Sequence, residues 1–147
     1  MTAKDLARRA YRRATGPVGS IQRISPTPGQ FVLSYDDGPD PRFTPEILTV
    51  LDDFNASATF FVLMSKVREN PNLLREVVAA GHEVGLHGVD HQRLTLFTPR
   101  EVQRRTAEGK AELEDVLGTQ VRWMRPPFGA QTFGTWRAIR NAGVEPV

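Results

Sequence analysis

The 147 residues contain no cysteine. Disulfides and thiolate ligands are thereby excluded, and any metal must be held by nitrogen and oxygen donors. No run approaches the ~20 apolar residues that cross a bilayer. The opening segment MTAKDLARRAYRRATGPVG is basic, but no apolar stretch follows it. No secretory signal is therefore read there, and the expectation is a cytoplasmic protein without a transmembrane segment. Internal repeats and low-complexity tracts are also missing. Histidine is scarce, with three in the chain, so any clustering of them is informative.

What is present fits one soluble domain. A length of 147 residues suffices for a single real core and not for two. The net charge of +2 is unevenly placed. Residues 1–30 hold Lys4, Arg8, Arg9, Arg12, Arg13 and Arg23 against Asp5 alone, a surplus of five that leaves the remainder at −3. A basic arm of this kind can bind nucleic acid or an anionic membrane. Tyr11 is its lone aromatic, which argues against a single-strand binding platform and for a solvated extension or linker. The predicted organisation is a basic extension over 1–30, with a helix over 4–14 and a short strand near Ile21–Ile24, then one domain over 31–147.

From Phe31 onward, short apolar runs alternate with amphipathic segments. Strands are predicted over 31–35, 58–63, 82–86, 121–124 and from Val144. Helices are predicted over 44–54, 72–80, 98–117 and 132–142, with Thr44 and Thr98 as N-caps and Gly81, Gly118 and Gly143 as stops. This β-α-β-α order implies an α/β fold with a parallel sheet and right-handed crossovers. In open and closed versions of that fold alike, chemistry sits at the C-terminal ends of the strands.

The chemically capable residues fall at those ends. The first strand runs into Asp36-Asp37-Gly38-Pro39, two carboxylates before a turn. Asp-Gly-Pro is also ordinary turn composition. The third strand runs into His87-Gly88-Val89-Asp90-His91. Histidines four apart share one face of a helical turn, so both can reach one ion. Imidazole with carboxylate suits zinc. The fourth strand runs into Arg125-Pro126-Pro127-Phe128-Gly129, where two prolines fix the backbone and the arginine can pair with a carboxylate. His82 opens its strand at the opposite end and is read as structural, and Trp123 and Trp136 as core.

Taken together and in order, Ser34-Tyr35-Asp36-Asp37-Gly38-Pro39, His87-x-x-x-His91 and Arg125-Pro126-Pro127-Phe128-Gly129 resemble the first three motifs of the NodB-type polysaccharide deacetylases, the family-4 carbohydrate esterases. The resemblance runs from about Phe31 to the end of the chain. It implies a distorted (β/α) barrel whose C-terminal strands are missing here. It implies that Asp36 is the catalytic base, that Arg125 holds it ionised and oriented, and that Asp37, His87 and His91 bind a divalent metal. Zinc is the expected metal, with cobalt, manganese and nickel as the other candidates. Phe128, through its backbone N–H, and Pro127 form the oxyanion and substrate-binding pair. The implied substrate is an N- or O-acetylated polysaccharide.

Two departures stand out. Gly88 replaces the family's usual Ser or Thr, which removes a hydroxyl. The chain also ends at Val147, before the family's Asp-Trp and Leu-x-His motifs, so no residue here matches the general acid. The expectations that follow are weak or absent amide hydrolysis, residual activity that favours O-acetyl esters, and self-association through uncovered strands. Two other readings stay open: a metal- or glycan-binding domain without turnover, and an amidase of the same superfamily acting on a non-sugar C–N bond.

Overall fold

The computed structural model describes residues 20–21, 29 and 31–147. The predicted helix over 4–14 and most of the predicted strand at 21–24 lie outside the described residues. Five parallel strands form one open sheet in the order of the chain: β1 (Ser34–Gly38), β2 (Thr59–Leu63), β3 (Glu83–Gly88), β4 (Trp123–Met124) and β5 (Glu145–Pro146). Sequential order is that of a (β/α) barrel wall, whereas a doubly wound sheet reverses its order at a switch point. The helices between the strands are α1 (Phe43–Asp53), α2 (Met64–Glu69), α3 (Pro71–Ala79), α4 (Pro99–Leu117) and α5 (Phe133–Asn141).

Strand alternation divides the sheet into two faces. Phe60, Val62, Val84, Leu86 and Met124 belong to the main core, together with Val67, Leu74, Val77, Val102, Leu113 and Ile139 from the helices. The intervening strand residues Asp36, Phe61, Gly85 and His87, with Arg125 just past the end of β4, therefore point to the opposite face. All the predicted site residues that lie on strands or just beyond them are on that second face or at its upper rim.

Local chemistry accounts for the helix ends. Thr98 accepts a hydrogen bond from the Glu101 N–H at 3.3 Å, and Gly118 closes α4 in the left-handed conformation at φ 67°. Thr132 and Thr135 form a reciprocal capping box on α5. Thr44 is not the cap of α1. The helix starts one residue earlier, and Asp40 Oδ1 accepts from the Arg42 and Phe43 N–H groups at 2.9 and 3.1 Å. Thr44 is buried instead, and its hydroxyl accepts from the Asp40 N–H at 2.9 Å.

β1 begins three residues later than the apolar run Phe31–Tyr35 suggests, and Phe31 and Val32 are largely exposed. The first pairing available to this edge strand is the Thr59 N–H to the Leu33 carbonyl at 3.0 Å, so the residues before Leu33 run past the end of β2. At the other edge, the Ile21 N–H donates to the Pro146 carbonyl at 3.2 Å and Gln131 donates to the Ser20 hydroxyl at 2.7 Å. Residues 20 and 21 thus lie against the folded domain although they belong to the basic N-terminal region.

Candidate active site

The two adjacent aspartates reach one site because the strand miscounts. Consecutive strand residues point to opposite faces. Asp36 pairs with Phe61 and Gly38 with Val62, so Asp37 is an extra residue, held at φ 73° in the left-handed region. This bulge re-aims the Asp37 carboxylate to the upper rim, beside that of Asp36.

Asp36 is positioned by a row that crosses the sheet. Asp36, Phe61 and Gly85 are register partners on three successive strands. A Cβ on Gly85 would lie 2.6 Å from the Phe61 ring, so the ring occupies the space a side chain would need. The Arg125 guanidinium rests on the Phe61 ring with its carbon 4.1 Å from the centroid. From there Arg125 Nη1 donates to Asp36 Oδ1 at 2.8 Å and to the Ser34 hydroxyl at 2.9 Å. Phe61 and Ser34 carry no signal of this role on their own. Ser34 lies inside the recognised motif, but Phe61 matters only through a neighbour 24 residues away, on the next strand.

The histidines do not share a helical turn. His87 is a residue of β3, Gly88 has φ 127°, and a bend through residues 89–91 brings His91 back over the strand end. The correction follows from burial: β3 runs two residues past the predicted end, because His87 and Gly88 are covered. Gly88 also revises the reading of a lost hydroxyl. A Cβ there would sit 3.1 Å from the Asp90 carbonyl and 3.7 Å from the Pro127 ring, at a φ that side chains rarely adopt. A side chain at this position would be both strained and crowded. The Ser65 N–H at the start of α2 donates to the Val89 carbonyl at 2.9 Å, and Arg105 pairs with Asp90 at 2.7 Å. Neither support was legible in the sequence.

His87 Nδ1 lies 2.7 Å from the Arg125 carbonyl. A carbonyl only accepts, so Nδ1 carries the proton and Nε2 presents its lone pair to the site. Burial pushes the His87 pKa down, against the opposing pull of Asp36, the Arg125 carbonyl and Asp37, and so favours the neutral ring that ligates metals. Asp37 Oδ1 lies 3.4 Å from His87 Nε2 and 3.5 Å from His91 Nε2. Two ligands about 2.1 Å from a tetrahedral ion are roughly 3.4 Å apart, so the spacing is that of a zinc-type coordination edge. Asp37, His87 and His91 thus form a group of donors that fits a metal ion.

Pro127 is buried beneath Gly88, where its ring supports the loop. Phe128 has φ 62° and an exposed side chain, and its ring packs tilted against that of His91, with centroids 4.3 Å apart and 49° between the planes. Among the described residues its N–H donates to no protein acceptor. His82 is buried at the far end of β3 against Phe60, outside the site. Trp123 is half-buried and donates to Glu83 at 2.8 Å, and Trp136 is half-buried against Phe133 and Arg140.

Comparison with known proteins covers most of this chain. A family model described as polysaccharide deacetylase matches residues 24–147. A chitooligosaccharide deacetylase of Sinorhizobium fredii is 37% identical over 116 residues, which is 78% of this chain and 54% of that protein. The chain therefore spans about half the length of this relative. The solved structure of the peptidoglycan deacetylase PdaC from Bacillus subtilis superposes with a TM-score of 0.74 at 31% identity, covering 83% of this chain and 60% of that one. A CE4 family pseudoenzyme from Bacillus anthracis, at 23% identity and a TM-score of 0.74 over 84% of this chain and 47% of that one, shares the fold.

Proposed function

This chain belongs to the polysaccharide deacetylase family, and on that premise we propose that it carries the metal-binding and base-bearing half of a site that hydrolyses acetyl groups on polysaccharide. The observation that carries the reading is the pairing of two different carboxylates at one strand end. Asp37 faces two imidazole nitrogens at coordination-edge spacing, while Asp36 beside it is engaged by Arg125. A metal-dependent hydrolase needs that division of labour, one acid to ligate and one to accept a proton.

Asp37, His87 and His91 would hold the ion, and the nitrogen-and-oxygen donor set favours zinc. Bound there, the ion would supply Lewis-acid polarisation of the acetyl carbonyl and a more acidic water. The remaining work falls to side chains of this chain. Arg125 occupies Asp36 Oδ1, which leaves Oδ2 to take the proton of the attacking water. The Phe128 N–H is the donor for the oxyanion, because it is otherwise unengaged and the ring of the same residue packs against His91.

Acetate release from O-acetylated and N-acetylated oligosaccharides by the zinc-loaded chain tests this. Zinc-dependent acetate release, lost in Asp36→Asn, is the expected result. No release from either substrate, with zinc bound, would leave a domain that binds without turnover. Cleavage confined to small non-sugar amides would move the chain to the amidase reading.

A further inference from the structure

Of the three candidate metal ligands, Asp37 and His87 belong to strands, and His91 sits on the bend that follows β3. A histidine that ligates a metal is ordinarily oriented by a hydrogen bond to its other ring nitrogen. His87 has one, to the Arg125 carbonyl. Apart from its 3.5 Å approach to Asp37, the His91 ring has only aromatic neighbours among the described residues. The backbone of the bend must therefore place it. Gly88, at the start of that bend, has no side chain with which to brace it.

The bracing comes from outside, through α4. A Cβ on Gly109 would meet Val89 Cγ2 at 3.5 Å, so the helix backbone approaches the bend closely. One turn earlier on the same face of the helix, Arg105 Nη2 donates to Asp90 Oδ1 at 2.7 Å. Asp90 immediately precedes His91. Arg105 is not a loose surface cation. Its guanidinium carbon lies 4.7 Å from the centroid of the Phe97 ring, and Phe97 packs against the core. Its side chain is 19% exposed, against 55% for the adjacent Arg104, which pairs with Glu101 and Glu108 of its own helix. An arginine already seated on an aromatic ring loses less freedom on pairing than an exposed one, so more of the pairing energy goes into holding Asp90.

We propose that Arg105 is a positioning residue for the metal site: through Asp90 it fixes the backbone from which His91 projects, and leaves the ring to turn onto the ion. The inference rests on the metal-binding reading above and adds to it a residue that touches neither ion nor substrate. The sign of its effect is distinctive. Arg105 is itself a cation near a cation site, so by charge alone its removal would tighten zinc binding. As a brace, its removal weakens it.

Calorimetric titration of the folded chain with zinc tests it, with cobalt(II) absorption as a second readout that reports the arrangement of the ligands. Arg105→Gln should weaken zinc about tenfold and alter the cobalt spectrum. Arg105→Lys, which keeps the charge, should recover part of the loss. The double variant Asp90→Asn, Arg105→Gln should lose no more than the worse of the two single ones, because both break the same pair. Arg104→Gln should leave zinc affinity and spectrum as they are. Unchanged or tighter zinc binding in Arg105→Gln would overturn the inference, as would losses that add in the double variant or an equal loss in Arg104→Gln. Should Arg105→Gln fail to fold, native zinc affinity in both Asp90→Asn and Arg105→Lys would overturn it. A native chain that binds neither zinc nor cobalt would remove the metal reading, and the inference with it.

Discussion

The two histidines of the site are built in opposite ways. His87 lies within β3, is 3% exposed, and is fixed by its hydrogen bond to the Arg125 carbonyl. Its surroundings, Phe61, Gly85, Arg125 and Asp36, are strand or strand-end residues locked by register. His91 lies on a loop, is 37% exposed, and packs its ring at a tilt against Phe128. Asp37 and Phe128 share its character: both are exposed, and both sit at positive φ. The inner half of the site is a product of folding the sheet. The outer half rests on ring contacts and loop geometry. A preformed wall facing an adaptable rim lets a site exclude water on one side while admitting a polymer on the other.

The contrast can be broken most directly with metal. Zinc at about a hundred times its dissociation constant should stabilise the chain by about 2.7 kcal/mol, or roughly 10 °C in a thermal melt. Both His87→Ala and His91→Ala should abolish that response. Without zinc they should part company: His91→Ala should change stability by less than about 0.5 kcal/mol, and His87→Ala should lose about 2 kcal/mol by stranding a buried carbonyl. Equal apo stabilities would erase the distinction.

The inner half can be strained without touching a charged group. Gly85→Ala places a methyl in the Phe61 ring, and denaturant unfolding should register a loss of about 1.5 kcal/mol. The displaced ring should also loosen Arg125 from Asp36, so acetate release should fall more steeply with this variant than its stability does. Gly88→Ser, at the junction of the two halves, should cost about 1 kcal/mol through its positive φ. It should weaken zinc rather than strengthen it, which would be read as a smaller zinc-induced rise in the melting temperature.

The smallest effect lies outside both halves and sets their baseline. Burial pushes the His82 pKa below its ordinary 6.5. The unfolded chain therefore binds a proton that the folded chain lacks, and folding gains stability as pH rises. Zinc-free stability from His82 should be complete above about 6.5 and decline as pH falls through the lower folded value. Replacement by Gln should flatten part of that decline in melts between pH 7.5 and 5.

Much of this was legible because the logic of parallel sheets places chemistry at strand ends. Asp36, Asp37, His87, His91 and Arg125 each follow an apolar run, and the structure gathers them at one rim. What escaped the sequence was geometry that needs a partner. α2 follows β2 with no turn residue between Leu63 and Met64, and six residues are too few to show helical periodicity. Phe61 reads as one more apolar residue until Gly85 is set opposite it. The His87–His91 spacing has two geometric solutions, a helical turn or a strand end with a bend. Burial of the strand selects the second. Phe31 and Val32 look like strand residues, yet they run past the end of the neighbouring strand.

The extra residue at Asp37 makes the site a matter of arithmetic as much as of composition. A strand keeps time in twos, and the bulge inserts one silent beat. Only the two acids stand between Tyr35 and Gly38, so a deletion there removes one of them outright, and an insertion between them turns one away from the rim. Substitutions at Tyr35 can be absorbed by the core it packs on, but a change of length cannot. The stretch from Ser34 to Pro39 should therefore tolerate altered spelling far better than altered spacing, and among descendants of this chain indels there should be rarer than point changes.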